Sequence, residues 1–258
     1  VHQRRVECRM KRQHQWVCDG TALFLGQAFH RCLQGLLGAC HDGDPTQPAG
    51  PVQVGNLFHD GLDQGATITE IAGHVLAAAA PRFALAGLSL GGYVAFEIMR
   101  QAPARVSRLA LLDTSARPDD AEKQRRRRGL IELARKGRFK GVTPRLIPSL
   151  IGPAAQDDPA VVDTILAMAG RLGRDGFIRQ QNAILSRPDS RPNLPTISCP
   201  TLVAVGALDQ LTPPDLSAEM AARIPGARSY VFDECGHLPP LERPAETVAV
   251  LEDWLGRP

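Results

Sequence analysis

From Val52 onward, short apolar runs alternate with stretches whose apolar residues recur every three or four positions. The first pattern predicts strands buried on both faces, and the second predicts amphipathic helices. Val52–Leu57 reads as a strand. Thr67 or Thr69 caps a helix through Ala79, with Ile68, Ile71, Val75 and Leu76 on one face. His74, on the same helix, reads as a partly exposed surface histidine. Arg82–Ala86 is the next strand, Tyr93–Arg100 a helix and Val106–Asp113 another strand. Two strands joined by a helix form a βαβ unit, which implies a parallel sheet.

The strand pattern stops between Ala116 and Thr196. Asp158 and Pro159 open a helix carrying Val161, Ile165, Met168 and Leu172, and Phe177, Ile184 and Leu185 predict another. The run Arg125–Arg128 reads as a solvated helix face. The sheet resumes after Cys199-Pro200 with Thr201–Gly206. Pro213 and Pro214 open a helix through Ile224, Ser229–Phe232 is the last strand, and residues 244–255 close the chain with Val248, Leu251 and Leu255 inward. The expected fold class is α/β: a mostly parallel central sheet flanked by helices. Residues 51–115 and 197–258 form its core, and residues 116–196 form a helical cap over the carboxyl edge of the sheet.

Residues 1–50 fit this rhythm poorly. Four of the six cysteines and four of the seven histidines fall before residue 42, among Arg4, Arg5, Arg9, Lys11 and Arg12. Burying such cations without partners costs several kcal/mol each, of order. The segment is therefore expected to stay solvated, to tolerate loss of residues 1–12, and to add at most one strand, near residues 15–18. A divergent arm and a segment read in a shifted frame both account for it. A metal site built from its cysteines with His14, His30 and His41 is the alternative, against which the irregular spacing argues.

Composition narrows the partners. A formal charge of +3 over 258 residues points to neither nucleic acid nor a membrane surface. No apolar run approaches the roughly 20 residues of a membrane span, and no signal peptide is read at the amino end. Without a C-x-x-C pair, the cysteines are expected to be free thiols, which implies a cytoplasmic, reducing setting. No feature sets an oligomeric state.

The chemistry gathers at Gly87-Leu88-Ser89-Leu90-Gly91. A Gly-x-Ser-x-Gly motif between a strand and a helix predicts a nucleophile elbow, with glycine at 87 and 91 where side chains would crowd the turn. Ser89 would stand exposed at a strand end. The amide of Leu90, in the first helical turn, would face a developing oxyanion. Asp209 and His237 follow later strands, giving the order serine, acid, histidine. His237 would take the serine proton and return it to the leaving group, and Asp209 would hold the imidazole tautomer. Asp113 is a rival acid, since it also ends a strand. Cys235 reads as a small buried residue. No metal or cofactor is needed, and the expected partner is a small-molecule ester.

From about Val52 to Trp254 the chain resembles the α/β-hydrolase superfamily, and most of all bacterial carboxylesterases and enol-lactonase-like proteins. The resemblance rests on Ala86–Tyr93, Leu111–Ser115, Val205–Asp209 and Cys235–Pro239. It implies a serine hydrolase that cleaves small carboxylic esters through an acyl-enzyme. Lactonase and thioesterase activity are the close alternatives, with perhydrolase chemistry or a non-catalytic binding protein of the same fold further off. It also implies a second oxyanion donor from a loop near the amino end. Gln15–Gly20 resembles that loop in its Cys18-Asp19 step, and Trp16 would be the donor.

Overall fold

The computed structural model describes residues 9–11, 15–17, 22–25, 53–55, 65–138 and 141–256. Eight strands form one sheet: β1 (Arg9–Lys11), β2 (Gln15–Val17), β3 (Ala22–Leu25), β4 (Gln53–Gly55), β5 (Phe83–Leu88), β6 (Val106–Leu112), β7 (Thr201–Gly206) and β8 (Arg228–Phe232). Their order is β1-β2-β4-β3-β5-β6-β7-β8. From β4 to β8 every pairing is parallel, while β1 and β2 pair antiparallel at one edge.

Successive side chains of a strand point to opposite faces, and both faces here are apolar. Leu85, Leu109, Leu111 and Val203 pack against α1 (Ile68–Ala78) and α2 (Leu90–Gln101). Ala86, Ala110, Leu112 and Ala204 point the other way, toward Leu251 and Trp254 of the closing helix Pro244–Trp254. Thr67 caps α1 by accepting the Glu70 amide at 3.2 Å, and the Glu70 carboxylate returns to the Ala66 amide at 2.7 Å. This reciprocal bonding satisfies orphan amides of the first turn. His74 is exposed.

Between β6 and β7 the described residues hold helices and no strand. They are α3 (Ala121–Leu133), α4 (Ile147–Leu150), α5 (Pro153–Gln156) and α6 (Pro159–Ser186), with single turns between. The two helices expected around Met168 and Ile184 follow directly on one another along α6, separated by a break at Gly173, where φ is 65° and ψ −177°. Arg127 departs from the solvated face expected of its run. It bonds Asp119 at 2.6 Å and Gln181 at 2.8 Å. The remaining helices are α7 (Pro214–Arg223), α8 (Pro239–Glu242) and α9 (Pro244–Trp254).

The amino-terminal expectation is corrected. Three strands within residues 1–50 join the sheet, not one. β3 lies inside it, paired with β5 from Ala22↔Ala84 to Leu25↔Gly87. Its four residues, Ala-Leu-Phe-Leu, are all apolar, a composition suited to an interior strand of a parallel sheet. β1 is the outermost strand at that end and β2 lies between β1 and β4, in antiparallel pairs that do not require a long Val/Ile/Leu run. Arg4, Arg5, Arg12 and the cysteines and histidines of the metal alternative lie outside the described residues, whereas Arg9 and Lys11 fall on β1, so loss of residues 1–12 would remove a strand of the sheet.

Candidate active site

β5, β6 and β7 all end at the same edge, and the residues that follow them meet there. Ser89, after β5, has φ 52° and ψ −113°. Such a conformation costs of order 1–3 kcal/mol and persists only where surrounding bonds over-determine it. Three bonds do so. The Ser89 amide donates to the Leu112 carbonyl at 3.0 Å, and the Ser89 carbonyl accepts from the Gly92 amide at 2.9 Å and the Thr114 hydroxyl at 2.8 Å. A Cβ on Gly87 would meet the Gly91 carbonyl, so Gly91 enters the elbow through its backbone. A Cβ on Gly92 would meet the Thr114 side chain. Gly92 and Thr114 were not legible as site residues, because their contact joins α2 to the segment after β6.

Asp209 ends the turn after β7, its side chain fully buried. Oδ1 accepts the Leu211 and Thr212 amides at 2.8 and 3.0 Å. Oδ2 accepts the Thr212 hydroxyl at 2.6 Å and His237 Nδ1 at 2.8 Å. Thr212 is a further site residue, and its signal is its place three residues after an aspartate, where it closes an Asx-type turn. His237, 4% exposed, stands in the loop between β8 and α8. With Nδ1 donating to Asp209, Nε2 is free to accept, and it lies 2.9 Å from Ser89 Oγ. The three side chains form one hydrogen-bonded line. Leu90 opens α2, and a first-turn amide has no intrahelical acceptor.

Asp113 is the acid that the line does not use. Its side chain is completely buried, Oδ1 accepts the Gly206 amide at 2.9 Å, and Oδ2 has no donor. Burial first, then the charge of Asp209, pushes the Asp113 carboxyl well above the usual carboxylate range. Burial alone would raise Asp209 too. There the bond and charge of His237 and the bonds from Thr212 outweigh burial and hold the carboxyl below its ordinary value. Two neighbouring carboxyls are thus shifted in opposite directions, Asp113 up and Asp209 down. Cys235 is fully buried, and burial pushes its thiol up, away from thiolate chemistry.

Asp113, Asp209 and His237 bring donor atoms within 4.8 Å of one another, a spacing a metal ion could use. Both His237 nitrogens are already committed, to Asp209 and to Ser89, so two of the three members of this cluster belong to the hydrogen-bonded line. Trp16 is corrected as an oxyanion donor. It lies on β2, and β4 and β3 separate that strand from β5. At about 4.8 Å per strand, β2 is roughly 14 Å from the elbow. The strand beside the elbow is β3, whose last residue, Leu25, pairs with Gly87.

A mostly parallel sheet flanked by helices, with serine, acid and histidine after β5, β7 and β8, is the architecture of the α/β-hydrolase fold. The sequence profile of the alpha/beta hydrolase family matches residues 33–250, and the chain belongs to that family. A pimeloyl-[acyl-carrier protein] methyl ester esterase of Vibrio campbellii is 24% identical over 208 residues, 73% of this chain and 76% of that protein. Its counterpart from Aromatoleum aromaticum is 29% identical, over 65% of this chain and 71% of that protein. Among solved structures, a thermophilic esterase from Thermogutta terrifontis superposes with a TM-score of 0.76 at 27% identity, covering 95% of this chain and 98% of that one. The enol-lactonase from Burkholderia xenovorans LB400 gives 0.75 at 22% identity, covering 94% and 97%, and speaks to the fold alone.

Proposed function

We propose that the protein is a serine hydrolase that cleaves small carboxylic esters through an acyl-enzyme. The observation that carries this is the line Ser89 Oγ–His237 Nε2–Asp209, with distances of 2.9 and 2.8 Å. A serine hydroxyl is a weak nucleophile until a base takes its proton. His237 accepts that proton as Ser89 attacks the ester carbonyl, and Asp209 stabilises the imidazolium. The Leu90 amide donates to the oxyanion. His237 then protonates the departing alcohol, and a water activated in the same way releases the acid. The sheet's carboxyl edge carries this chemistry, and the insertion at residues 116–196 serves as the cap that shapes the pocket.

The relatives named as methyl ester esterases favour a small alcohol group, so methyl esters belong in the first substrate panel beside p-nitrophenyl esters. Ser89→Ala should lower ester turnover by about 10³-fold or more and abolish labelling by a fluorophosphonate. Unchanged turnover would remove the assignment. A folded wild-type chain that neither turns over esters nor takes the probe would point instead to a binding protein on this fold.

A further inference from the structure

The backbone around His237 is held more completely than a surface loop needs. Three consecutive amides are bonded, each by a partner outside the loop. Gly236 N–H donates to Glu242 Oε2 at 2.8 Å, Leu238 N–H to Glu242 Oε1 at 2.9 Å, and His237 N–H to the Leu150 carbonyl at 2.9 Å. Glu242 Oε2 also accepts the Gly152 amide, at 2.7 Å. One carboxylate therefore grips both neighbours of the histidine and the segment between α4 and α5. The two backbones touch. A Cβ on Gly236 would lie 2.6 Å from Ile151 Cα, and one on Gly152 would lie 2.7 Å from the Glu234 carbonyl. Glu234 itself has φ 50°, a left-handed conformation unusual for glutamate.

We infer that Glu242 is a positioning residue that sets the aim of the His237 imidazole and locks it to the inserted helices at Ile151–Gly152. The inference rests on the serine-hydrolase reading for its catalytic consequence, though the geometry it claims does not. The hydrogen bonds of Glu242 go to backbone amides rather than to the side chains of Ser89, His237 or Asp209. It acts through the peptide planes on either side of His237. Its two oxygens carry three N–H bonds, which a carboxylate can accept and a carboxamide cannot, because one oxygen becomes an NH₂ donor. A buried amide left facing that donor must shift. Loss of orientation at a proton-transferring group is read in rate, since a 1 Å displacement can cost about 10²-fold.

The test compares E242Q and E242A with wild type in the full chain. Serines are counted with a fluorophosphonate, and turnover of p-nitrophenyl acetate is expressed per titrated serine. The far-downfield proton resonance of His237 Nδ1–H, bonded to Asp209, is followed by NMR. We expect kcat per titrated serine to fall about tenfold in E242Q and about 10²-fold in E242A, with KM nearly unchanged. The downfield resonance should broaden or disappear in both. A purely architectural Glu242 would lower the Tm and the number of titratable serines but leave kcat per serine and the resonance as in wild type. That result overturns the inference. E242Q preserves the volume of the side chain and carries the test alone if E242A fails to fold. Should wild type turn over no ester, the hydrolase reading fails and the resonance still decides. Its loss in E242Q upholds the positioning role, and its persistence, or its absence from wild type, overturns it.

Discussion

Asp113 and Asp209 are the same residue type, both buried, one strand apart, and they do opposite things. Asp209 collects two amides, a hydroxyl and an imidazole, all donors, and stays an anion. Asp113 has one amide, and burial and its anionic neighbour push its carboxyl up. Asp209→Asn should therefore cost about 10⁴-fold in kcat, because the carboxamide fixes the wrong imidazole tautomer. Asp113→Asn should remain within about tenfold of wild type, since a carboxamide oxygen can still accept the Gly206 amide and the side chain takes no part in the line. Stability gives a second reading. Asp113 binds its proton more tightly folded than unfolded, so its contribution is full below the unfolded pKa of about 3.9 and falls as pH rises toward the folded value. Asp113→Asn removes that decline. Urea titrations should show the variant gaining on wild type from pH 4 to pH 8; a constant difference would mean that folding does not push the Asp113 carboxyl up.

The elbow shows how a strand and a helix are joined at closer quarters than side chains permit. β5 is buried along its whole length, and α2 begins one residue past Ser89. The room between them is the room left by the missing Cβ of Gly87. Gly87→Ala forces the new methyl onto the Gly91 carbonyl, which is backbone and cannot rotate away. Overpacking of this kind costs about 1–3 kcal/mol. The expected outcome is a lower urea midpoint together with loss of ester turnover, as the helix is pushed off and the Ser89 conformation relaxes. The elbow was readable because motif, apolar run and helix former are contiguous. β3 was not, although Ala22–Leu25 is an apolar run before Gly26. Four residues carry little periodicity, and the surrounding charge hid them.

The insertion is closed where it leaves and re-enters the sheet. Asp119, its side chain 2% exposed, receives Arg127 of α3 at 2.6 Å and Arg187, at the end of α6, at 2.8 Å. Arg187 also lies over the Tyr93 ring of α2, 4.2 Å from its centre. First helix, last helix and core thus share one carboxylate. Burial would raise the Asp119 carboxyl, but the two arginines hold it below its ordinary value. Asp119→Ala leaves both cations without their shared partner and should destabilise the fold by about 3 kcal/mol at pH 7. A depressed folded pKa stabilises above the unfolded value of about 3.9 and is lost as pH falls through the folded one. The gap between variant and wild type should therefore close toward pH 3 in urea titrations. A gap of equal size at pH 3 and pH 7 would assign the loss to packing instead.

What the sequence determined by itself was whatever depends on near neighbours. The strand–turn–helix at Gly87–Gly91, a cap at Thr67 or Thr69 (Thr67 in the structure), the helix starts at Pro159 and Pro214, and the order serine, acid, histidine are all written within a few residues of one another or as a simple succession. Tertiary structure decided what depends on distant chain segments meeting. Asp209 rather than Asp113 faces His237 because β7, not β6, ends opposite the loop after β8. Trp16 is remote from Ser89 because β4, late in the chain, is laid between β2 and β3. Glu242 reaches Gly152 across 90 residues. Hydrophobic period and turn chemistry act over one or two turns of chain. Which strand ends share an edge, and which buried carboxyl keeps its charge, are set by packing partners that no local pattern encodes.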